Sequence, residues 1–151
     1  MLKRGFLGLA LLAVAAAAPA LDGEGMVITT SRHSVPETAD RAAAAIAEHG
    51  LGVFARIDHA EGALKAGLDL APTELLIFGN PTAGTRLMHC GATVAIDLPL
   101  KLLVWQGPEG ITQVAYNDPA WLSDRHGLEE CAAVLANVEK ALSEIAAAAG
   151  D

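Results

Sequence analysis

The chain has 151 residues, which suggests a single domain, and its hydrophobic fraction of 52% is ample for a core. Only 4% of the residues are aromatic, so this core is expected to be aliphatic. The formal net charge of -8 opposes contact with phosphate backbones and anionic lipid surfaces. Nucleic-acid-binding and membrane-surface proteins are therefore not expected classes.

The first 20 residues have the pattern of an export signal. Lys3 and Arg4 form a basic head, residues 5–18 are apolar, and residues 18–20 (Ala-Pro-Ala) fit the small-x-small cleavage pattern. The apolar run is too short to cross roughly 30 Å of hydrocarbon as a helix, although an uncleaved apolar tail remains the alternative. We predict a periplasmic or secreted protein without a membrane anchor after cleavage. The predicted segments are a signal peptide at 1–20, a flexible leader at 21–25 and one domain at 26–151.

Strand-like and helix-like segments alternate along the predicted domain. Ser34 and Glu37, three residues apart with Pro36 between them, mark a helix start, and Gly50 marks its end. Apolar residues spaced three and four apart between 128 and 145 predict a long amphipathic C-terminal helix. Strands are predicted at 26–32, 51–57, 74–78, 98–105 and 111–116. Helices are predicted at 34–50, 58–68, 82–90, 120–125 and 128–148.

This order of elements predicts an α+β fold, with helices packed on one mixed β-sheet of about five strands. The first two strand–helix–strand connections favour parallel neighbours, whereas the short loop at 107–110 favours an antiparallel final hairpin. The apolar run at 74–78 is typical of a central strand.

Three spaced motifs carry a resemblance to a known family. They are Leu-Leu-Ile-Phe-Gly-Asn-Pro-Thr-Ala-Gly-Thr (75–85), Asp-Leu-Pro-Leu-Lys (97–101), and Tyr-Asn-Asp-Pro-Ala-Trp-Leu (116–122) followed by Arg-His-Gly-Leu (125–128). Together they resemble the domain of unknown function 302 family, from about Met26 to the end of the last helix. The resemblance implies a compact α+β fold, a homodimer and no settled biochemical role. The pair His89-Cys90 departs from the family pattern, so no role is carried over to it.

Polar residues follow or precede three of the predicted strands, where turn chemistry often builds sites. They predict a ligand-binding rim on an exported, dimeric ligand-binding or interaction module, which is our leading hypothesis. Each residue also has a structural explanation, as a turn-locking amide, a capping carboxylate or a hydrogen-bonded corner. The predicted ligand-binding residues are Asn80, Asp97, Tyr116, Asn117, Asp118 and His126.

An enzyme is the second hypothesis for the same region. His126 with Asp97 or Asp118 would supply the imidazole and carboxylate that general acid–base catalysis needs. Ser123 is the nearest hydroxyl, and no Gly-x-Ser-x-Gly elbow surrounds it, so a hydrolase is not indicated. The sequence therefore leans against an enzyme.

A haem or transition-metal protein is the third hypothesis. Met88, His89 and Cys90 are consecutive, so on a helix they point about 100° apart and cannot all bind one ion. His89 from two subunits would suit a haem iron or a transition metal, with Cys90 as a further candidate ligand. The alternative is a surface histidine beside a buried cysteine. Cys90 and Cys131 either form a disulfide or remain buried thiols, and no cofactor is assigned from the sequence.

Overall fold

Strands and helices alternate along the computed structural model, which describes residues 23–151. The predicted signal peptide at 1–20 therefore lies outside the described residues. The strands are β1 (Met26–Ser31), β2 (Gly52–Asp58), β3 (Thr73–Gly79), β4 (Leu100–Gln106) and β5 (Thr112–Asn117). The helices are α1 (Val35–Glu48), α2 (His59–Lys65), α3 (Pro81–Cys90), α4 (Pro119–His126) and α5 (Ala132–Gly150). Short 3-10 turns occur at Ala92–Ile96, Pro108–Gly110 and Glu129–Cys131.

The five strands form one sheet in the order β1-β5-β4-β3-β2, and every neighbouring pair is antiparallel. The α+β fold, the single five-stranded sheet and the long C-terminal helix are confirmed. The predicted parallel neighbours are wrong. Strands β1 and β2 run in the same direction, but they lie at opposite edges of the sheet. The 14 residues of α1 are about 21 Å long, enough to span the roughly 19 Å across four strand spacings.

Helices α1 and α5 pack against each other and against one face of the sheet. Small alanines on both helices, such as Ala42 and Ala146, let the backbones approach the strands closely. From the sheet, Leu76, Leu102 and Val114 fill this interface. The core is therefore aliphatic in the main, as the composition predicts. None of the helices in residues 23–151 has both the length and the apolarity of a membrane span.

An ion-pair network fastens α1 to the β2 edge of the sheet. The guanidinium of Arg56 donates hydrogen bonds to the carboxylates of Glu74 on β3 and Asp40 on α1. The side chain of Glu74 is only 8% exposed, so its charge depends on this partner. The bonds to Glu74 and then Asp40 raise the pKa of Arg56 above its ordinary value.

A second apolar cluster lies beyond the end of the sheet, between α3 and the start of α5. Leu87, Val94 and Leu128 are its fully buried members. Cys90 and Cys131 form a disulfide across this cluster, which resolves the two alternatives that the sequence left open. In the disulfide the sulfur of Cys90 is not a free thiolate, so Cys90 as a metal ligand stays a prediction that requires the reduced chain.

Tyr116, predicted to bind a ligand, is instead 7% exposed and packs in the core under α5. Burial raises the pKa of its hydroxyl, and the charges of Asp118 and Glu139 act in the same direction. Hydrogen bonding with Ser143 opposes the rise.

Because Tyr116 is the single tyrosine of the chain, its ionisation can be followed by ultraviolet absorbance without interference from another phenol. We expect the folded protein to titrate above the ordinary value of 10.0 and the denatured protein at about 10. The folded state then holds the proton more tightly, so the free energy of unfolding should fall as the pH rises above about 10. A folded midpoint equal to the denatured one would contradict the burial of this hydroxyl.

Candidate functional site

The predicted site residues do lie at one edge of the sheet. In the strand register, Phe78 at the end of β3 pairs with Leu100 at the start of β4, and Leu102 pairs with Tyr116 near the end of β5. The turns after β3 and β5 and before β4 are therefore neighbours. They do not, however, form one pocket, because the side chains serve different local structures.

Asp97 and His126 form a hydrogen-bonded corner. The Nε2 atom of His126 lies 2.6 Å from a carboxylate oxygen of Asp97, and its Nδ1 atom lies 2.9 Å from the hydroxyl of Thr93. The side chains of His126 and Asp97 are 4% and 14% exposed. The guanidinium of Arg125 lies over the ring of Trp121, and its Nη1 atom forms an ion pair with Asp97, 3.6 Å from the Oδ2 atom. Both ring nitrogens are occupied inside the protein, which favours the structural explanation of His126.

Asn80 and Asp118 are helix N-caps. The side-chain oxygen of Asn80 accepts hydrogen bonds from the backbone N–H groups of Thr82 and Ala83 at 2.8 and 3.4 Å. A carboxylate oxygen of Asp118 accepts one from Ala120 at 2.8 Å. These side chains satisfy N–H groups that the first turns of α3 and α4 would otherwise leave unpaired. Asp118 therefore caps its own helix, whereas Asp97 is the carboxylate that contacts the ring of His126.

An apolar groove of about 570 Å³ opens beside this edge, between α3, α5 and the start of β4. A volume of that size lies within the usual range for small-molecule sites. Asn80 is the only one of the six predicted ligand-binding residues that lines it within the described chain. The apolar walls include Leu51, Phe54, Leu87, Leu98, Leu100 and Val138.

Sequence reasoning missed this groove, although α5 carries a signal for it. Val134, Val138 and Ala141 are spaced four and three apart, which gives α5 a second apolar stripe beside the one that packs on the sheet. Phe54 of β2 is 55% exposed, and it lines the groove. The groove explains both features, because the exposed side chain of Phe54 and the second apolar stripe of α5 form parts of its wall.

Arg86 is the one charged residue among the described residues that line the groove. It lies on the exposed side of α3, and within residues 23–151 no carboxylate forms an ion pair with it. The remaining polar lining comes from uncharged threonine and asparagine side chains. The groove therefore combines apolar walls with a single unpaired positive charge.

His89 is exposed on α3 and does not line the groove, whereas Met88 does. Within residues 23–151, no three His, Cys, Asp or Glu side chains come together as a metal-binding group. A haem or metal ion held by His89 would need a second subunit, and that hypothesis stays a prediction.

Fold and groove together define a small α+β domain with an apolar groove beside its C-terminal helix. The family model described as "Domain of unknown function DUF302" matches residues 27–145. The chain belongs to this family, as the three sequence motifs indicate.

Two curated relatives and one solved structure are similar to this chain. The protein named fluoride-specific ion channel FluC 1 of Brucella suis biovar 1 (strain 1330) is 47% identical over 129 residues, which cover 84% of this chain and 51% of the relative. The protein of the same name from Brucella abortus biovar 1 (strain 9-941) is also 47% identical, over 84% of this chain and 48% of its own. This chain thus spans about half the length of these relatives.

The crystal structure of an uncharacterised conserved DUF302 protein from Bacillus stearothermophilus aligns with a TM-score of 0.75. It is 24% identical and covers 83% of this chain and 98% of its own. At that identity the likeness shows the fold alone.

Proposed function

We propose that this domain binds an amphiphilic molecule whose apolar tail fills the groove and whose anionic head contacts Arg86. The observation that supports the proposal is the pairing of an apolar cavity with one unpaired cation in an otherwise acidic chain. A carboxylate or a similar anion would form an ion pair with the guanidinium of Arg86. A cationic or uncharged head would leave it unpaired.

The size of the groove sets the expected affinity. Each methylene buried from water contributes about 0.8 kcal/mol, so a tail of about ten carbons would contribute roughly 8 kcal/mol. Part of this is lost to the entropy of association, and the exposed ion pair at Arg86 adds about 1 kcal/mol or less. The expected Kd is therefore on the order of 10 µM.

Calorimetric titration of the purified chain with dodecanoate, kept below its micelle concentration, tests the proposal. Dodecyltrimethylammonium has a tail of nearly the same length and the opposite charge, and we expect it to bind about fivefold more weakly. Arg86→Gln should remove most of that preference, whereas Arg32→Gln, on an exposed arginine outside the groove, should leave it unchanged. Ala141→Trp should fill the groove and abolish binding of both probes. Equal binding of both probes to the wild-type chain, or binding that Ala141→Trp does not affect, would contradict the proposal.

A second candidate function comes from the curated relatives. Because proteins named fluoride-specific ion channels contain a segment 47% identical to this chain, we propose that the domain modulates fluoride permeation in a protein that carries it or binds it. Removing the matching segment from the Brucella suis relative and measuring fluoride efflux from vesicles tests this. A changed rate is expected, and an unchanged rate would contradict the idea.

We also propose that the chain acts outside the cytoplasm. The basic head and apolar run of residues 1–20 support this location. The location would also suit a disulfide, because cytosolic thiols are usually kept reduced.

A further inference from the structure

Thr93 carries the one hydroxyl that is hydrogen-bonded to a histidine ring within residues 23–151. Its Oγ1 atom lies 2.9 Å from the Nδ1 atom of His126, and the Nε2 atom of the same ring lies 2.6 Å from Asp97. The side chains of His126 and Asp97 are largely buried, whereas Thr93 is exposed. Hydroxyl, imidazole and carboxylate therefore form one series of hydrogen bonds that begins at the surface and ends inside the protein.

The bond to Asp97 determines which nitrogen of the ring is the base. A carboxylate oxygen only accepts hydrogen bonds, so the proton of the neutral ring is on Nε2 and is donated to Asp97. The lone pair on Nδ1 then faces Thr93, whose hydroxyl donates to it. The same three groups form the Ser-His-Asp triad, in which the imidazole is the base of the hydroxyl nucleophile; here the two ring nitrogens are exchanged.

The backbone around Thr93 is held in place relative to the ring. Thr93 and the carboxylate partner of the ring belong to the 3-10 turn Ala92–Ile96 and its C-terminal cap, so one short turn contacts both ring nitrogens. Val94 of this turn is fully buried in the second apolar cluster. Gly91, just before the turn, lies so close to His126 that a Cβ atom on it would be 2.7 Å from the His126 carbonyl oxygen. The hydroxyl and its base are therefore positioned before any substrate arrives.

We infer that Thr93 is an acylation site, at which the hydroxyl accepts an acyl group from an uncharged activated ester or thioester. The Oγ1 atom bonds to the acyl carbon. The bond from that carbon to the leaving oxygen or sulfur breaks, and its electron pair goes to the leaving group. The Nδ1 atom of His126 takes the hydroxyl proton and then gives it to the leaving group or to water. In between, the carboxylate of Asp97 stabilises the positive charge of the ring.

Charge around the site selects the class of acyl donor. The net charge of -8 opposes the approach of phosphoryl groups and other anionic donors. Arg125, beside the site, is already paired with Asp97 and so does little to attract them. An ester or thioester carbonyl carries no net charge to be repelled, and the exposed position of Thr93 lets it reach the oxygen.

The reaction is compatible with the structural explanation of His126. The two hydrogen bonds that hold the corner together are the same two that orient the base, as they are in the Ser-His-Asp triad. One acyl group per chain is transferred, and no turnover is required. The inference does not depend on the ligand proposed for the groove, because Thr93 does not line it.

Acetylation of the purified chain by p-nitrophenyl acetate, at a pH of about 8, where an ordinary histidine is neutral, tests the inference. Peptide mass spectrometry measures the rate at each hydroxyl, and Thr30, an exposed threonine, is the internal reference. General-base catalysis speeds such steps by roughly 100- to 10,000-fold, so Thr93 should be acetylated at least about 100 times faster than Thr30. Thr93→Ser should keep the rapid release of one p-nitrophenolate per chain, and Thr93→Val should lose it.

Asp97→Asn keeps the hydroxyl but removes the charge that stabilises the imidazolium, and we expect Thr93 to be acetylated at least about tenfold more slowly in this variant. Circular dichroism establishes whether the variant is folded. Nitrogen NMR of the wild-type chain at the same pH should find the proton of His126 on Nε2 and none on Nδ1, a result that stands even if Asp97→Asn unfolds. Acetylation of Thr93 no faster than Thr30, an unchanged rate in folded Asp97→Asn, or a proton on Nδ1 would overturn the inference.

Discussion

Replacing both Cys90 and Cys131 with alanine is expected to lower the free energy of unfolding by about 4 kcal/mol. The two cysteines are 41 residues apart, and in the chain-entropy model a loop of that length restricts the unfolded chain by about this amount. Both residues contact the second apolar cluster, so alanine keeps the surroundings apolar. For a domain of this size the melting temperature should fall by about 10–15 °C. Thermal and urea denaturation would measure the two quantities.

The wild-type chain under reducing conditions is the matched control, because it loses the bond but keeps both sulfur atoms. It should unfold at nearly the same temperature as the alanine variant. Since α3 is both a wall of the groove and one end of the disulfide, we also expect weaker dodecanoate binding after reduction. A reduced protein as stable as the oxidised one would mean that the bond does not restrain the unfolded chain as described.

The second large effect is expected from His126→Ala, at about 2–3 kcal/mol of lost stability. The substitution removes the hydrogen bonds to Asp97 and Thr93 and leaves a largely buried carboxylate without its nearest partner. It also leaves a cavity in place of the almost fully buried imidazole ring. Because the corner joins the 3-10 turn Ala92–Ile96 to the end of α4, its loss should loosen both segments. Urea denaturation measures the change.

His89→Ala is the matched control, because His89 is an exposed histidine whose side chain makes no hydrogen bond within residues 23–151. It should change stability by less than about 0.5 kcal/mol. The same variant serves the haem hypothesis, which expects a Soret band in the wild-type spectrum and its loss on substitution. If His126→Ala melted like wild type, the structural explanation would be wrong and the enzyme hypothesis would regain support.

Local sequence chemistry was enough to predict most elements of the fold. The run at 74–78 became the interior strand β3, and the apolar periodicity after residue 128 became α5. Pro99 precedes β4, as a residue without an N–H donor must. The strand order was not predictable in this way. The order depends on the connection through α1, which takes the chain from one edge of the sheet to the other. The residue composition of α1 does not indicate which strands the helix packs on.

The site was harder to predict than the fold for a related reason. Polar residues at strand ends often bind ligands, and this pattern predicts Asn80, Asp97, Asp118 and His126 as site residues, yet each of them also fits a local capping, turn or corner role. The structure shows that Asn80 and Asp118 cap helices and that Asp97 and His126 bond to each other. The groove is built from apolar residues on α3, α5, β2 and β4, which come together only when the chain is folded.

An amide NMR titration of the purified chain with dodecanoate tests the central claim, that the groove is a binding site for an anionic amphiphile. We expect saturable shifts centred on Leu87, Met88 and Val138, with smaller shifts on residues that do not line the groove, and we expect these shifts to be lost in Ala141→Trp. Saturable shifts centred on Leu103 and Trp105 instead, or no saturable shift at all, would contradict it.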